Sequence, residues 1–146
     1  MLANSDITNA LGGRKVLKKS VESSLEVSDM IAAGLPSESA FFLQNLLNLG
    51  DLEYSSMLGV STKTLSRHRQ VPISHLAVEI SDRLFRIARI FTLAEDVLEN
   101  KKAAVSWLHR PQIGLNQRIP FELIKTEVGA REIEELLYRI EYGMYS

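Results

Sequence analysis

Seven apolar residues, Leu76, Ile80, Leu84, Ile87, Phe91, Ala94 and Leu98, recur at steps of four and three along one stretch of the chain. Such steps place side chains on a single stripe of a 3.6-residue helix, so the stretch reads as an amphipathic helix of about seven turns, opened by Pro72. A second set, Phe85, Ala88 and Ile90, widens the apolar face beyond what one neighbouring helix covers. A packing partner, and in particular a homodimer, is the expectation that follows. Arg83, Arg86 and Arg89 stand at every third position and read as a slowly winding, solvated polar ridge beside the stripe.

Upstream, the segment DLEYSSMLGVSTKTLSRHRQ carries a more specific geometry. Tyr54 and Leu58 precede Gly59, small Ser55 lies four residues before it, Val60 follows it, and Leu65 comes six residues later. Two helices that cross at a steep angle must approach closely, so the first needs a small residue at the crossing and the tight turn between them favours glycine. This is helix-turn-helix spacing. Ser61 is placed to cap the second helix, and Leu65 faces the first. Thr62, Lys63, Ser66 and Arg67, with Arg69 or Gln70, are then left outward, and such side chains suit phosphates and base edges. Ser61, Thr62, Lys63, Ser66, Arg67 and Arg69 are accordingly the candidate DNA-binding set. A helical hairpin that binds no DNA is the alternative.

The rest of the chain also reads as helix, so the predicted fold class is all-α. The first thirty or so residues are polar and weakly periodic, with Gly12-Gly13 and a basic cluster of Arg14, Lys15, Lys18 and Lys19, and are expected to be weakly ordered. Gly34-Leu35-Pro36-Ser37 is turn chemistry. Ser37 is placed to cap a helix from Glu38 whose apolar positions are Phe41, Phe42, Leu46, Leu47 and Leu49, ending at Gly50. Beyond the long helix, Ala103 to Leu108 begins a short helix containing Trp107, the single tryptophan, which is expected to anchor a C-terminal core. HRPQIGLNQRIPFELIKT is mostly loop, with a short helix from Pro120 to near Thr126. A last helix places Val128, Ile133, Leu136, Leu137 and Ile140 on one face and Glu132, Glu134 and Glu135 toward solvent, and Gly143 ends it. The resulting division is 1–33 as an N-terminal segment, 34–72 as the helix-turn-helix region, 73–100 as a connecting and dimerising helix, and 101–146 as a C-terminal domain.

Composition narrows the chemistry. The chain has 146 residues, no cysteine and a net charge of −1, so disulfides and thiolate metal sites are excluded. Its charge is uneven, since residues 61–92 carry six basic and two acidic side chains. A local basic stripe can steer toward phosphate even on a near-neutral molecule. No apolar run reaches the roughly 18 residues of a membrane span, and the first residues lack the apolar core of a secretory signal, so a cytoplasmic protein is expected. His68, His75 and His109 form no i,i+4 pair, and there is no HExxH, P-loop, GxGxxG or GxSxG. A non-enzymatic protein without metal or cofactor is the reading.

The order GLP, LGVSTKTLSRHR, SDRLFRIARIF, AVSWLHRPQIGL and RIPFELIKTEVGAREIEELLYRIEYG resembles the Xre/MbcA/ParS antitoxins, over roughly residues 34 to 146. The C-terminal motifs, W-L-x-x-P, P-x-E-L-I-x-T-x-x-G and terminal R-I-E-Y-G, are the more specific part, because helix-turn-helix spacing occurs in many unrelated repressors. Asn116-Gln117-Arg118 departs from the glycine pair that the family often has after Leu115. The resemblance implies an N-terminal helix-turn-helix that binds operator DNA and a C-terminal toxin-binding domain. It also implies a partner, a RES-type toxin that depletes NAD and is encoded beside the antitoxin, whose pocket the C-terminal segment blocks. Arg139, Glu141, Tyr142, Gly143, Tyr145 and Ser146 are the toxin-binding set under that resemblance, with the tyrosines stacking or filling space and Glu141 meeting a cation. Two alternatives stay open. The tail can pack back on its own helix, and the whole chain can be a plain helix-turn-helix repressor whose C-terminal domain dimerises or senses something.

Overall fold

The computed structural model describes residues 2–71 and 74–143. These form ten α-helices and one 3₁₀ turn, with two isolated β-bridges, Pro36 to His75 and Gln112 to Arg118. The chain divides into two compact units, one up to Ala88 and one from Arg89, so the division falls inside the long helix.

The first thirty residues correct the expectation of weak order. They form α1 (Asn4–Asn9), α2 (Gly13–Leu17) and α3 (Ser24–Ala33), and they bury Ile7, Leu11, Leu17, Val21, Val27 and Met30. Left-handed backbone at Gly12 (φ 102°) and Lys18 (φ 67°) breaks the segment into pieces. None of these helices exceeds ten residues, too short for a periodic stripe to stand out. Ser23 and Glu26 form a reciprocal cap at the start of α3: the Ser23 hydroxyl accepts from the Glu26 amide at 3.1 Å and the Glu26 carboxylate accepts from the Ser23 amide at 3.2 Å.

Helix α4 (Ser37–Leu47) turns a different face inward from the one expected. Ala40, Leu43 and Leu47 are buried, whereas Phe41 and Leu46 are half-buried and Phe42 is 42% exposed. Pro36, not Ser37, is the cap, and Asn48 in the left-handed region ends the helix before Gly50. The Ser37 hydroxyl instead accepts a hydrogen bond from Ser74 at 2.8 Å.

That bond belongs to a short extended pairing that delays the next helix. The Leu76 amide donates to the Leu35 carbonyl at 2.8 Å, the Ser37 amide to the Ser74 carbonyl at 2.9 Å, and the buried Leu35 amide to the Ser81 hydroxyl at 2.8 Å. Residues 74–77 are thereby held extended, and the long helix α7 (Val78–Leu98) has 21 residues, about six turns. Pro72, the expected start, lies outside the described residues. Phe85, Ala88 and Ile90 are all buried within the single chain, so the wide apolar face no longer argues for a second copy. The arginine ridge is not a solvated face either. Arg83 donates to the Leu58 carbonyl at 3.3 Å, Arg86 is largely covered, and Arg89 pairs with both Glu127 and Glu134 at 2.9 Å.

In the second unit Asn100 caps α8 (Lys101–Leu108), its side-chain oxygen accepting from the Ala103 amide at 2.9 Å. A 3₁₀ turn (Ile113–Leu115), α9 (Pro120–Leu123) and α10 (Glu127–Glu141) follow. Trp107, Leu108, Leu115, Phe121, Ile124, Ile133 and Leu137 are buried together in this unit's core, with Trp107 7% exposed. His109 meets Phe121 edge-on at 4.7 Å. Val128 is 69% exposed, off the apolar stripe on which it was expected, and Glu134 meets Arg89 instead of solvent.

Two backbone constraints explain the family motif in this region. Thr126 caps α10, accepting from the Gly129 amide at 3.0 Å, and a Cβ on Gly129 would collide with the Leu123 carbonyl oxygen. The T-x-x-G spacing therefore supplies both the cap and the close approach of α10 to α9. Asn116 and Gln117 both take left-handed backbone (φ 55° and 65°) inside the turn closed by the Gln117 amide and the Gln112 carbonyl at 2.9 Å. Glycine would adopt such backbone at less cost than Asn116 or Gln117. Gly129→Ala is expected to lose about 1–3 kcal/mol of stability, as overpacking against a fixed backbone does. Exposed Gln117→Gly is expected to gain about 0.5 kcal/mol, the left-handed strain relieved less the added chain entropy. Urea unfolding checks both, and an alanine variant as stable as wild type would remove the close approach from the account.

Candidate functional site

Helices α5 (Asp51–Leu58) and α6 (Thr62–Gln70) flank Gly59. Gly59 has φ 71°, and a Cβ there would lie 2.9 Å from the Arg83 guanidinium, which itself satisfies the last carbonyl of α5. Ser55 is buried and its carbonyl accepts from the Val60 amide at 3.0 Å. Tyr54 is fully buried and donates to the Ala40 carbonyl at 2.6 Å; burial pushes its phenol pKa up. Leu65 is buried, so the apolar positions of the motif do seat α6.

The outward residues sort into two groups. Thr62, Lys63, Arg67 and Gln70 are exposed and Ser66 is half-buried, and Lys63, Arg67 and Gln70 follow one another at steps of four and three. They form one solvent-facing stripe. Ser61 is exposed too, but its hydroxyl caps α6, accepting from the Thr64 amide at 3.0 Å. Arg69 stands apart. It lies four residues after buried Leu65, and although its side chain is 43% exposed, its guanidinium holds both Asp51 oxygens at 2.7 and 3.0 Å. It also donates to the Gln44 side-chain oxygen at 3.1 Å and sits over the Phe41 ring at 4.8 Å. Arg69, one of the candidate DNA-binding residues, thus also forms a fork that ties α6 to α4 and α5 while its side chain keeps 43% exposure. The i+4 relation to Leu65 was the signal in the sequence; Asp51, Gln44 and Arg83 left no comparable one.

At the other end of the chain, Arg139 is half-buried while Glu141, Tyr142 and Gly143 are exposed. Tyr142 is 68% exposed, and its amide donates to the Tyr138 carbonyl at 3.0 Å, closing the last turn of α10. Gly143 has φ 71° with open space around its Cβ position. Tyr145 and Ser146 lie outside the described residues. Among the described residues no three His, Asp or Glu side chains converge to hold a metal, and no helix is long and apolar enough to cross a membrane.

The Arg69 fork carries a pH signature. Hydrogen bonds from Arg69 and then Gln44 lower the Asp51 pKa from 3.8 to about 2. A carboxylate whose folded pKa is depressed contributes stability above its unfolded value and loses it as pH falls toward the folded one. The contribution should be complete at pH 5 and fade between about pH 4 and 2. Urea midpoints of wild type and Asp51→Asn are therefore expected to differ at pH 7 and to converge near pH 2, whereas a constant difference across that range would mean the carboxylate does not bear the interaction.

The sequence also matches known families and proteins. Residues 26–89 match the Antitoxin Xre-like helix-turn-helix domain, and residues 93–143 match the Antitoxin Xre/MbcA/ParS C-terminal toxin-binding domain. A protein named Antitoxin Xre from Yersinia enterocolitica is 34% identical over 89 residues, 60% of this chain and 60% of that protein. Its namesake in Photorhabdus laumondii subsp. laumondii is 31% identical over 114 residues, 77% of this chain and 76% of that protein, and one in Pseudomonas putida is 37% identical over 68 residues, 47% and 43%. The chain thus spans about three fifths of the Yersinia relative. With both domains matched in order, and with most of the Photorhabdus relative covered, the chain belongs to the Xre/MbcA/ParS antitoxin family, a helix-turn-helix region followed by a toxin-binding domain.

Proposed function

We propose that this chain neutralises a RES-type, NAD-degrading toxin by placing its C-terminal segment in the toxin's NAD pocket, and that α6 binds operator DNA to regulate its own expression. The observation that carries the first half is the exposure of Tyr142 at the end of α10. A tyrosine that only covered its own helix would be buried against it; this one stands in solvent, beside a glycine in the left-handed region, which ends the helix. An NAD pocket offers apolar faces for rings and cationic groups for phosphates, and an exposed tyrosine next to Glu141 suits both. For the second half, the support is the exposed stripe of Lys63, Arg67 and Gln70 on a helix seated by Leu65. The antitoxin acts by occupying sites and needs no chemistry of its own.

Deleting residues 142–146 removes only chain beyond the apolar face of α10, so the helical fold and DNA binding should persist while inhibition fails. The measurement is NAD consumption by the toxin encoded beside this chain, with wild-type or truncated antitoxin at matched, saturating concentrations. A truncated form that protects NAD as well as wild type would overturn the pocket-blocking mechanism. On the DNA side, Arg67→Ala should weaken binding to the chain's own promoter by about 1–3 kcal/mol if it reads a base edge, or reduce the salt slope by about one if it meets phosphate. Unchanged binding in both respects would remove α6 from the groove.

A further inference from the structure

The W-L-x-x-P motif is more than core. Trp107 and Pro111 line a groove of about 580 Å³ in the second unit, together with Leu98, Ile113, Leu136 and Ile140. Arg139 is the charged group in that lining. Ile113 is 83% exposed, although it sits in a turn that the rest of the unit holds closely: a Cβ on neighbouring Gly114 would lie 2.5 Å from a Leu136 methyl. The turn therefore cannot sink further to bury Ile113 without displacing α10. A concave apolar surface with a projecting isoleucine and one cation suits an aliphatic or aromatic side chain with a carboxylate next to it.

The geometry points to the toxin as the occupant: this groove is the surface on which the toxin docks beside α10, and it takes an apolar anchor of the toxin flanked by an acidic residue that meets Arg139. The inference rests on the toxin-inhibiting reading above and deepens it. Its argument is continuity. Leu136, Arg139 and Ile140, the α10 wall of the groove, run directly into Glu141, Tyr142 and Gly143, and three residues of helix rise only about 5 Å. A partner that holds Tyr142 must lie over this end of α10 and within reach of the groove. The whole lining also falls inside the residues matched to the toxin-binding domain. Pocket blocking and docking are then separate acts: the tail stops turnover, and the groove supplies affinity.

The single tryptophan gives a direct readout. The full-length antitoxin is prepared with 5-fluorotryptophan, so that the one ¹⁹F resonance reports Trp107, and is titrated with the purified, unlabelled toxin encoded beside it. Dissociation constants are measured in parallel by calorimetry for wild type, Ile113→Asp, Arg139→Glu and Val128→Asp. Val128 is an exposed apolar control at the far end of α10, so its substitution tests generic surface effects. The ¹⁹F resonance should move on toxin binding, and it should move also with antitoxin lacking residues 142–146. Ile113→Asp and Arg139→Glu should each weaken binding by about tenfold or more, with Val128→Asp near wild type and all four circular dichroism spectra alike. An unmoved resonance, or wild-type affinity in Ile113→Asp, overturns the groove while leaving pocket blocking intact. Protection of NAD by the truncated antitoxin overturns pocket blocking while leaving the groove intact. Absence of any binding by wild type overturns both, and loss of a dimer by Ile113→Asp in light scattering would make the groove a contact between two copies of this chain.

Discussion

The C-terminal end of the second unit is carried on α10, and the direction of α10 is set where it leaves α9. Gly129 comes within touching distance of the Leu123 carbonyl, and Thr126 caps the helix through the Gly129 amide. No side chain fits between the two helices at that point. Because the capping threonine and the glycine must both be present at fixed spacing, the motif that marks the family is a statement about backbone geometry. It fixes the start of a fifteen-residue helix, whose far end holds the exposed Tyr142 and the left-handed Gly143. Arg89 braces the same helix through paired contacts to Glu127 and Glu134, so the glutamates that look like a solvated face serve partly to hold it in place.

The first unit follows the same logic with different groups. Gly59 permits the turn, Ser55 permits the crossing, and Leu65 seats α6, while the Arg69 fork to Asp51 and Gln44 ties it to two other helices. An arginine on the basic helix thus also braces α6 against its neighbours. This leaves Lys63, Arg67 and Gln70 as the outward stripe, a smaller and more coherent set than the basic residues of the segment as a whole. Arg83 adds a second brace by satisfying the carbonyl end of α5 beside the turn glycine.

Much of this was legible in the sequence, and what was not has definite causes. The helix-turn-helix was readable because turn glycine, small residue, apolar positions and N-cap constrain one another at short range. Trp107 was readable as a core anchor because few other positions in a helical protein keep so large a side chain covered. The order of the first thirty residues is not legible because their three helices are too short to develop a period, although Ser23 and Glu26 carry the spacing of a reciprocal cap. The start of α7 is not legible because Pro72 is good helix-opening chemistry, and the pairing of residues 74–76 with Leu35 and Ser37 involves partners about forty residues away. The face of α4 is hard to read for a related reason: Phe41 and Phe42 are the largest apolar side chains there, but Ala40, Leu43 and Leu47 are the buried ones, the Ala40 carbonyl accepts from Tyr54, and Phe41 lies under the Arg69 guanidinium.

The central claim is that the C-terminal segment competes with NAD for one pocket, and equilibrium binding tests it without relying on turnover. Calorimetric titration of a non-hydrolysable NAD analogue into the toxin alone and into the purified toxin–antitoxin complex measures whether the pocket is filled. The account predicts binding to free toxin and no measurable binding to the complex. Equal affinity for both, with the complex still unable to degrade NAD, would contradict it and place inhibition somewhere other than the pocket.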